Sequence, residues 1–245
     1  MIKNLTTTIA FISIVFSFSF TTSNVDVEAP RNLKNTWNQH VHSNYDCIQD
    51  TTLSQKAFDY GLRGYYTLKN EGKLINEKYL TIVDFTQHSW NKRLYVIDMS
   101  TMDVVHKTYC SHGKNTGGSI AEYFSNKSGS LQSSLGFFLT SETYSGKFDY
   151  ALRLDGLEST NYKARERGIV MHGAEYATER FLKRNNNVLG RSYGCPAVPM
   201  DEARIVIDLI KEGSCFYIYA DQPSYKQASR YIKPERFLPS LEEII

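Results

Sequence analysis

Residues 171–199 read MHGAEYATERFLKRNNNVLGRSYGCPAVP. His172 ends the apolar run GIVMH, which predicts a strand, and Gly173 lets the backbone turn away from that strand's end. Gly194 and Pro196 flank Cys195, so the cysteine sits in a second tight turn. A basic, Asn-rich connector, whose AEYATERFLKR part has helical character, joins the two turns. A thiol in a glycine turn can approach a carbonyl carbon closely, and a neighbouring imidazole can take its proton. The backbone N–H of Cys195 and adjacent amides then suit an oxyanion. The alternative is packing: a small buried cysteine and a satisfied core histidine.

The rest of the chain predicts a β-rich core. TTLSQKAFDYGLRGYYTLKNEG carries a capping-box pattern at Thr52 and Gln55, apolar residues at helical spacing and a stop at Gly72. YLTIVDF reads as a buried strand, and KRLYVIDM and DVVHKTYC flank STM as a hairpin. GFFLT, YALRL, GIVMH and CFYIYA are further short strands, and MDEARIVIDLIKEG is a helix ending at Gly213. Strands and helices do not alternate as in a βαβ fold, so the class is mainly β or α+β, with a helical N-terminal segment and flanking helices. Residues 24–50 are polar without a clear period and read as a linker or lead-in. Residues 51–220 form the expected domain, and 221–245 a tail that packs on the surface or hangs free.

Residues 1–23 have the form of an export signal: one Lys, an apolar run of about a dozen residues, then TTS. That run is shorter than the roughly 20 residues of a membrane span. Cleavage is placed before Asn24, with an uncleaved anchor as the alternative. The expected location is therefore the periplasm or cell envelope. An oxidising compartment permits disulfides, so Cys110 and Cys215 either pair or remain buried thiols, with Cys47 the odd one out. No C-x-x-C or H-x-x-x-H spacing suggests a metal, and no cofactor is implied. A formal net charge of +2 gives no electrostatic footprint for nucleic acid.

HGA followed by GRSYGCPAVP resembles the signature of the murein L,D-transpeptidase catalytic-domain family. LTIVDF, KRLYVID, SHGKNTGG, FSNKSGSLQSSLGFFLT, the Tyr144–Gly146 pair and LRLDGLE agree in the same order, over about residues 50–220. The resemblance implies an L,D-transpeptidase-type β-sandwich core and a cysteine enzyme acting on peptidoglycan stem peptides. By motif position Cys195 is the nucleophile, His172 the base and Gly173 the group that orients His172 through its carbonyl. Ser192 and Gly194 shape the turn beneath the sulfur, and Arg191 meets a substrate carboxylate. Carbapenem-type β-lactams are the covalent inhibitors implied. Two departures stand out: Tyr193 occupies the place of a His common in the broader superfamily, and Ala197 that of an Arg. Which group then binds the stem carboxylate is left open.

His112 in CSHGKNTGG has two readings of equal weight. One is a substrate-side loop whose backbone N–H groups face anions; the other is a turn that closes the hairpin region. SNKSGSLQSS reads as a loop in which Ser133 or Ser134 lines the groove, and Lys183 and Arg184 as solvated charges. Transfer of the acyl group to an amine is the leading reaction. An L,D-carboxypeptidase, in which water accepts it, is the alternative enzyme, and a murein-binding protein that kept the fold is the non-enzyme.

Overall fold

The computed structural model describes residues 31–147, 149–233 and 236, so the export-signal segment lies outside the described residues. Among the described residues the strands are, in chain order, β1 (Tyr79–Asp84), β2 (Leu94–Asp98), β3 (Asp103–Thr108), β4 (Gly136–Gly146), β5 (Asp149–Gly156), β6 (Val170–Gly173), β7 (Ala197–Val198) and β8 (Cys215–Tyr219). These eight form one mixed sheet in the order β3-β2-β1-β8-β4-β5-β6-β7. The β1–β8 and β6–β7 pairs are parallel and the others antiparallel. A β-rich core with flanking helices is as the sequence predicts. Hydrogen bonds join all eight strands, and the sheet curls until its ends meet. Ser111, just past β3, bridges Ala197 of β7, and Gly113 bridges Ser192.

The middle of the sheet follows from composition. LTIVD and CFYIY are continuous apolar-rich runs, and β1 and β8 are buried almost throughout, as strands covered on both faces must be. Each large side chain buried there contributes about 1.5–3 kcal/mol. Helix α2 (Gln55–Asn70) covers one part of it with Phe58, Leu62, Tyr65 and Leu68. Its N-cap is Ser54, whose side chain accepts from Ala57 N at 3.3 Å, rather than the predicted Thr52. Thr52 Oγ1 is instead engaged with Asp50 and the Tyr95 hydroxyl.

Gly64 lets α2 lie this close to the sheet. A Cβ there would fall 2.0 Å from the ring of Phe137, which is itself stacked on Tyr217 with centroids 4.1 Å apart. Helix α4 (Met200–Ile210) buries Ala203, Val206, Ile207 and Ile210. The predicted AEYATERFLKR helix divides into a 3-10 turn, Glu175–Ala177, and α3 (Glu179–Arg184), capped by Thr178.

Two expectations are corrected. The linker or lead-in of residues 24–50 contains helix α1 (Arg31–Cys47), docked on α2. Trp37 Nε1 donates to Asp59 at 2.9 Å, and the Trp37 ring meets Tyr66 edge-on. Leu33, Trp37, Val41 and Tyr45 recur every fourth residue and pack into the core as a narrow stripe.

The tail of residues 221–245 is not a surface appendage over its described part. Helix α5 (Pro223–Ala228) and the turn after it bury Tyr225, Tyr231 and Ile232. These aromatics enter the core because their hydroxyls find partners. Tyr225 donates to Glu158 at 3.0 Å, and Tyr231 accepts from Lys73 at 3.2 Å. Glu158 also accepts from Ser229 and from Phe137 N, which ties α5 to the start of β4.

Candidate active site

The strand register places the two turns side by side. His172 pairs with Ala151 of β5 on one side and with Ala197 of β7 on the other. Ala197 is two residues past Cys195, so the cysteine turn opens directly onto the end of β6. His172 is 1% exposed, and its Nδ1 lies 2.9 Å from Gly173 O. A carbonyl only accepts, so Nδ1 carries the proton and Nε2 keeps its lone pair. Burial holds the imidazole pKa below its ordinary value, with the Gly173 hydrogen bond opposing. His172 is therefore neutral near pH 7 and basic at Nε2.

Cys195 is 8% exposed, and its Sγ donates to Gly168 O at 3.8 Å, over the entry to β6. Burial pushes its thiol pKa up, opposed by the Val170 amide and the positive charge of Arg167. Ser192 fastens the turn: its Oγ donates to Cys195 O at 2.6 Å and accepts from Gly194 N at 3.1 Å. Ser192 N donates to His112 O, and Lys114 N to Ser192 O, which docks the turn on residues 112–114. Gly194 holds φ +126°, and a Cβ on it would stand 2.8 Å from Gln132 O and 3.2 Å from Arg167 Nη2. Tyr193 is 71% exposed. Arg191 is half-buried with Nε donating to Gly117 O at 2.8 Å, and among the described residues it has no carboxylate partner.

His112 belongs to the foundation of the site and not to its surface. It is 2% exposed, and Arg93 Nη2 donates to its Nδ1 at 2.7 Å. The proton therefore sits on Nε2, facing Gly117 O at 3.4 Å. Burial and the adjacent Arg93 drive its pKa down to about 3. Nor does the loop present a row of open amides: Gly113, Lys114, Asn115 and Thr116 all donate within the protein. Ser133 Oγ donates to Gly194 O and Ser134 Oγ to Ser125 O, so both face inward. Lys183 is on the surface, in an exposed pair with Glu179.

Sequence reasoning missed Arg93 and Arg167. Both are cations held by neutral acceptors and left no periodic signal. A cleft of about 550 Å³, lined in part by Tyr123, Phe124, Ser125, Gln132 and Gln222, lies beside the loop that contacts Arg167. All four cysteines are free thiols, with Cys47 exposed and the other three buried. Among the described residues no group of three or more His, Cys, Asp or Glu side chains is placed to hold a metal, and no helix is long and apolar enough to cross a membrane.

The β6–β7 register brings the turn that carries Cys195 next to the strand end that carries His172, so a thiol and an imidazole lie in the same part of the curled sheet. The chain belongs to the L,D-transpeptidase catalytic-domain family, which its residues 49–219 match. Among solved structures it is similar to an L,D-transpeptidase from Mycobacterium smegmatis, at 14% identity and a TM-score of 0.38, over 58% of this chain and 59% of that one. It is also similar to an L,D-transpeptidase from Mycobacterium tuberculosis H37Rv, at 12% identity and a TM-score of 0.38, over 58% of each chain. A third is L,D-transpeptidase LdtMt1 in complex with imipenem, at 13% identity and a TM-score of 0.35, over 58% of this chain and 59% of that one. The chain thus spans under two thirds of the length of these structures. No match is found among curated proteins.

Proposed function

We propose that this chain is an exported cysteine L,D-transpeptidase of the cell envelope that acts on peptidoglycan stem peptides through a Cys195 thioester. The observation that carries the reading is the His172–Ala197 register, with Nδ1 tied to Gly173 O. It sets a neutral imidazole, protonated at Nδ1, beside the cysteine turn.

In this reading His172 Nε2 takes the thiol proton as Sγ attacks the carbonyl carbon of the third stem residue. Gly194 N is taken by Ser192 Oγ and Pro196 has no N–H, which leaves the Cys195 amide as the donor to the oxyanion at the turn. Collapse of the tetrahedral intermediate breaks the C–N bond. The departing amine of the terminal D-residue takes the proton from His172, and the acyl group stays on sulfur. A side-chain amine of a second stem then attacks the thioester, loses a proton to His172 and forms the new amide. The thiolate leaves and is reprotonated.

Support for the chemistry comes from paired protonation states: burial keeps the thiol protonated and the imidazole neutral, so the proton moves only when substrate is attacked. Carbapenem-type β-lactams, whose strained carbonyl is open to the same attack, fit as covalent inhibitors.

The test is incubation with purified muropeptides followed by mass spectrometry. Cross-linked dimers with release of the fourth residue are expected. Shortened stems alone would assign the carboxypeptidase reaction instead, and unchanged muropeptides would refute the enzyme.

A further inference from the structure

Arg167 lies in the loop between β5 and β6, five positions before His172, and among the described residues it has no carboxylate within ion-pair distance. Its Nη1 donates to Ser125 O at 2.8 Å and Ser134 Oγ at 2.6 Å. Its Nη2 donates to Ser130 Oγ at 3.3 Å and Gln132 O at 2.7 Å. All four acceptors are neutral and all come from the Ser-rich loop of residues 125–134. Arg165, two positions away, differs: it is exposed and pairs with Glu142 and Asp155, as a surface arginine does.

The same loop grips the cysteine turn from its other side. Ser133 Oγ donates to Gly194 O at 3.1 Å, and Gln132 O and Arg167 Nη2 occupy the space beside Gly194 that a Cβ would fill. Gly168, the residue after Arg167, accepts from Cys195 Sγ. Arg167 precedes the residue that the thiol touches, and its guanidinium lies against the residue that precedes Cys195, so the two side chains stem from adjoining positions of the two segments.

A half-buried guanidinium without an anion is costly unless an anion forms beside it. With every Nη hydrogen already placed, Arg167 has no fork left to grip a stem carboxylate. It can still act through its charge, which is fixed in position by four hydrogen bonds. Ionisable groups around Cys195 besides Arg167 are His172 of β6, the half-buried Tyr176 of the 3-10 turn, Cys110 and Arg191 of its own loop. Tyr176 and Cys110 are held neutral by burial. His172 is neutral near pH 7, and Arg191 is turned to Gly117 O.

We infer that Arg167 is a positioning residue that supplies the fixed positive field under which the Cys195 thiolate forms, and that the Ser125–Ser134 loop is the cradle that holds it there. The inference rests on Cys195 being the nucleophile. It also accounts for Gly194, since any side chain at that position would push the guanidinium off the turn.

The experiment is the pH profile of Cys195 alkylation by iodoacetamide, read by peptide mass spectrometry. It is done in full-length protein carrying Cys47→Ser, because Cys47 is exposed whereas Cys110 and Cys215 are buried. Arg167→Gln should raise the midpoint by about 1–2 pH units, the scale of losing one close opposite charge. Arg167→Lys should restore most of the shift. If Arg167→Gln does not fold by circular dichroism, Arg167→Met is read in its place. A midpoint unchanged in the neutral variant overturns the inference, and so does a Lys variant that behaves like Gln. The alkylation profile needs no substrate, so it stands or falls separately from the muropeptide assay that tests the enzyme itself.

Discussion

His172 and Gly173 form a hydrogen-bonded pair of chain neighbours: the imidazole Nδ1 turns back 2.9 Å from the next residue's carbonyl. The tautomer follows from that contact alone, because the carbonyl has no proton to give. A base at Nε2 then needs no acidic third residue to orient it.

The first prediction concerns this base. Burial lowers the His172 pKa, so acylation of Cys195 by a carbapenem should fall as pH drops through a value below the ordinary 6.5 or so. At the alkaline side the thiol and imidazole titrate as a coupled pair with a shared apparent pKa. His172→Ala should slow acylation by roughly 10²–10⁴-fold at neutral pH. Stopped-flow measurement with intact-mass detection checks this, and an unchanged rate would move the base elsewhere.

Cys195 should be the thiol that carries the adduct. Cys110 and Cys215 are fully buried, with the Cys110 thiol pushed up to about 12. Cys195→Ala should give no carbapenem adduct on intact-mass analysis. Cys195→Ser should be nearly inert, since a hydroxyl ionises far less readily than a thiol. Peptide mapping without reduction should find Cys110, Cys195 and Cys215 unpaired, and a Cys110–Cys195 bridge in active protein would contradict the site.

His112 gives a stability prediction with a definite sign. The folded protein holds it at about 3, whereas an unfolded His titrates near 6.5. Between those values the unfolded chain binds more protons. Stability from this group is therefore complete above about pH 6.5 and is lost as the pH falls toward 3, by on the order of 3–5 kcal/mol. His112→Asn keeps an acceptor for Arg93 and removes the titration, so its urea midpoint should decline less between pH 7 and pH 4. Comparing the two chains isolates His112 from Glu158, whose raised pKa acts in the opposite sense. Equal declines would mean that the Arg93–His112 contact does not set the histidine's charge.

Gly64→Ala tests how α2 meets the sheet. Alanine should gain about 0.5–1 kcal/mol of helix preference. The new methyl meets Phe137, which cannot withdraw because it is stacked on Tyr217. Overpacking of this kind costs about 1–3 kcal/mol, so a net loss of about 1–2 kcal/mol is expected in thermal or urea unfolding. A stabilised variant would show that α2 can lift off without penalty.

Local pattern was enough for the elements whose burial follows from their own residues. LTIVD and CFYIY announce strands covered on both faces, AFDYGLRGYY a helix with one apolar side, and the glycines around His172 and Cys195 two tight turns. Helix α1 was not legible, because its apolar stripe is one residue in four of a polar segment, and the burial of Tyr225 and Tyr231 depended on distant hydroxyl partners. Tertiary structure alone decided that Ala197 pairs with His172, that His112 faces Arg93 and that Arg167 sits behind Gly194. The physical reason is the same in each case. A strand or turn follows from the sterics and hydropathy of neighbouring residues. The charge state of a buried His, Cys or Arg depends on which donors and acceptors the fold brings to it from other parts of the chain.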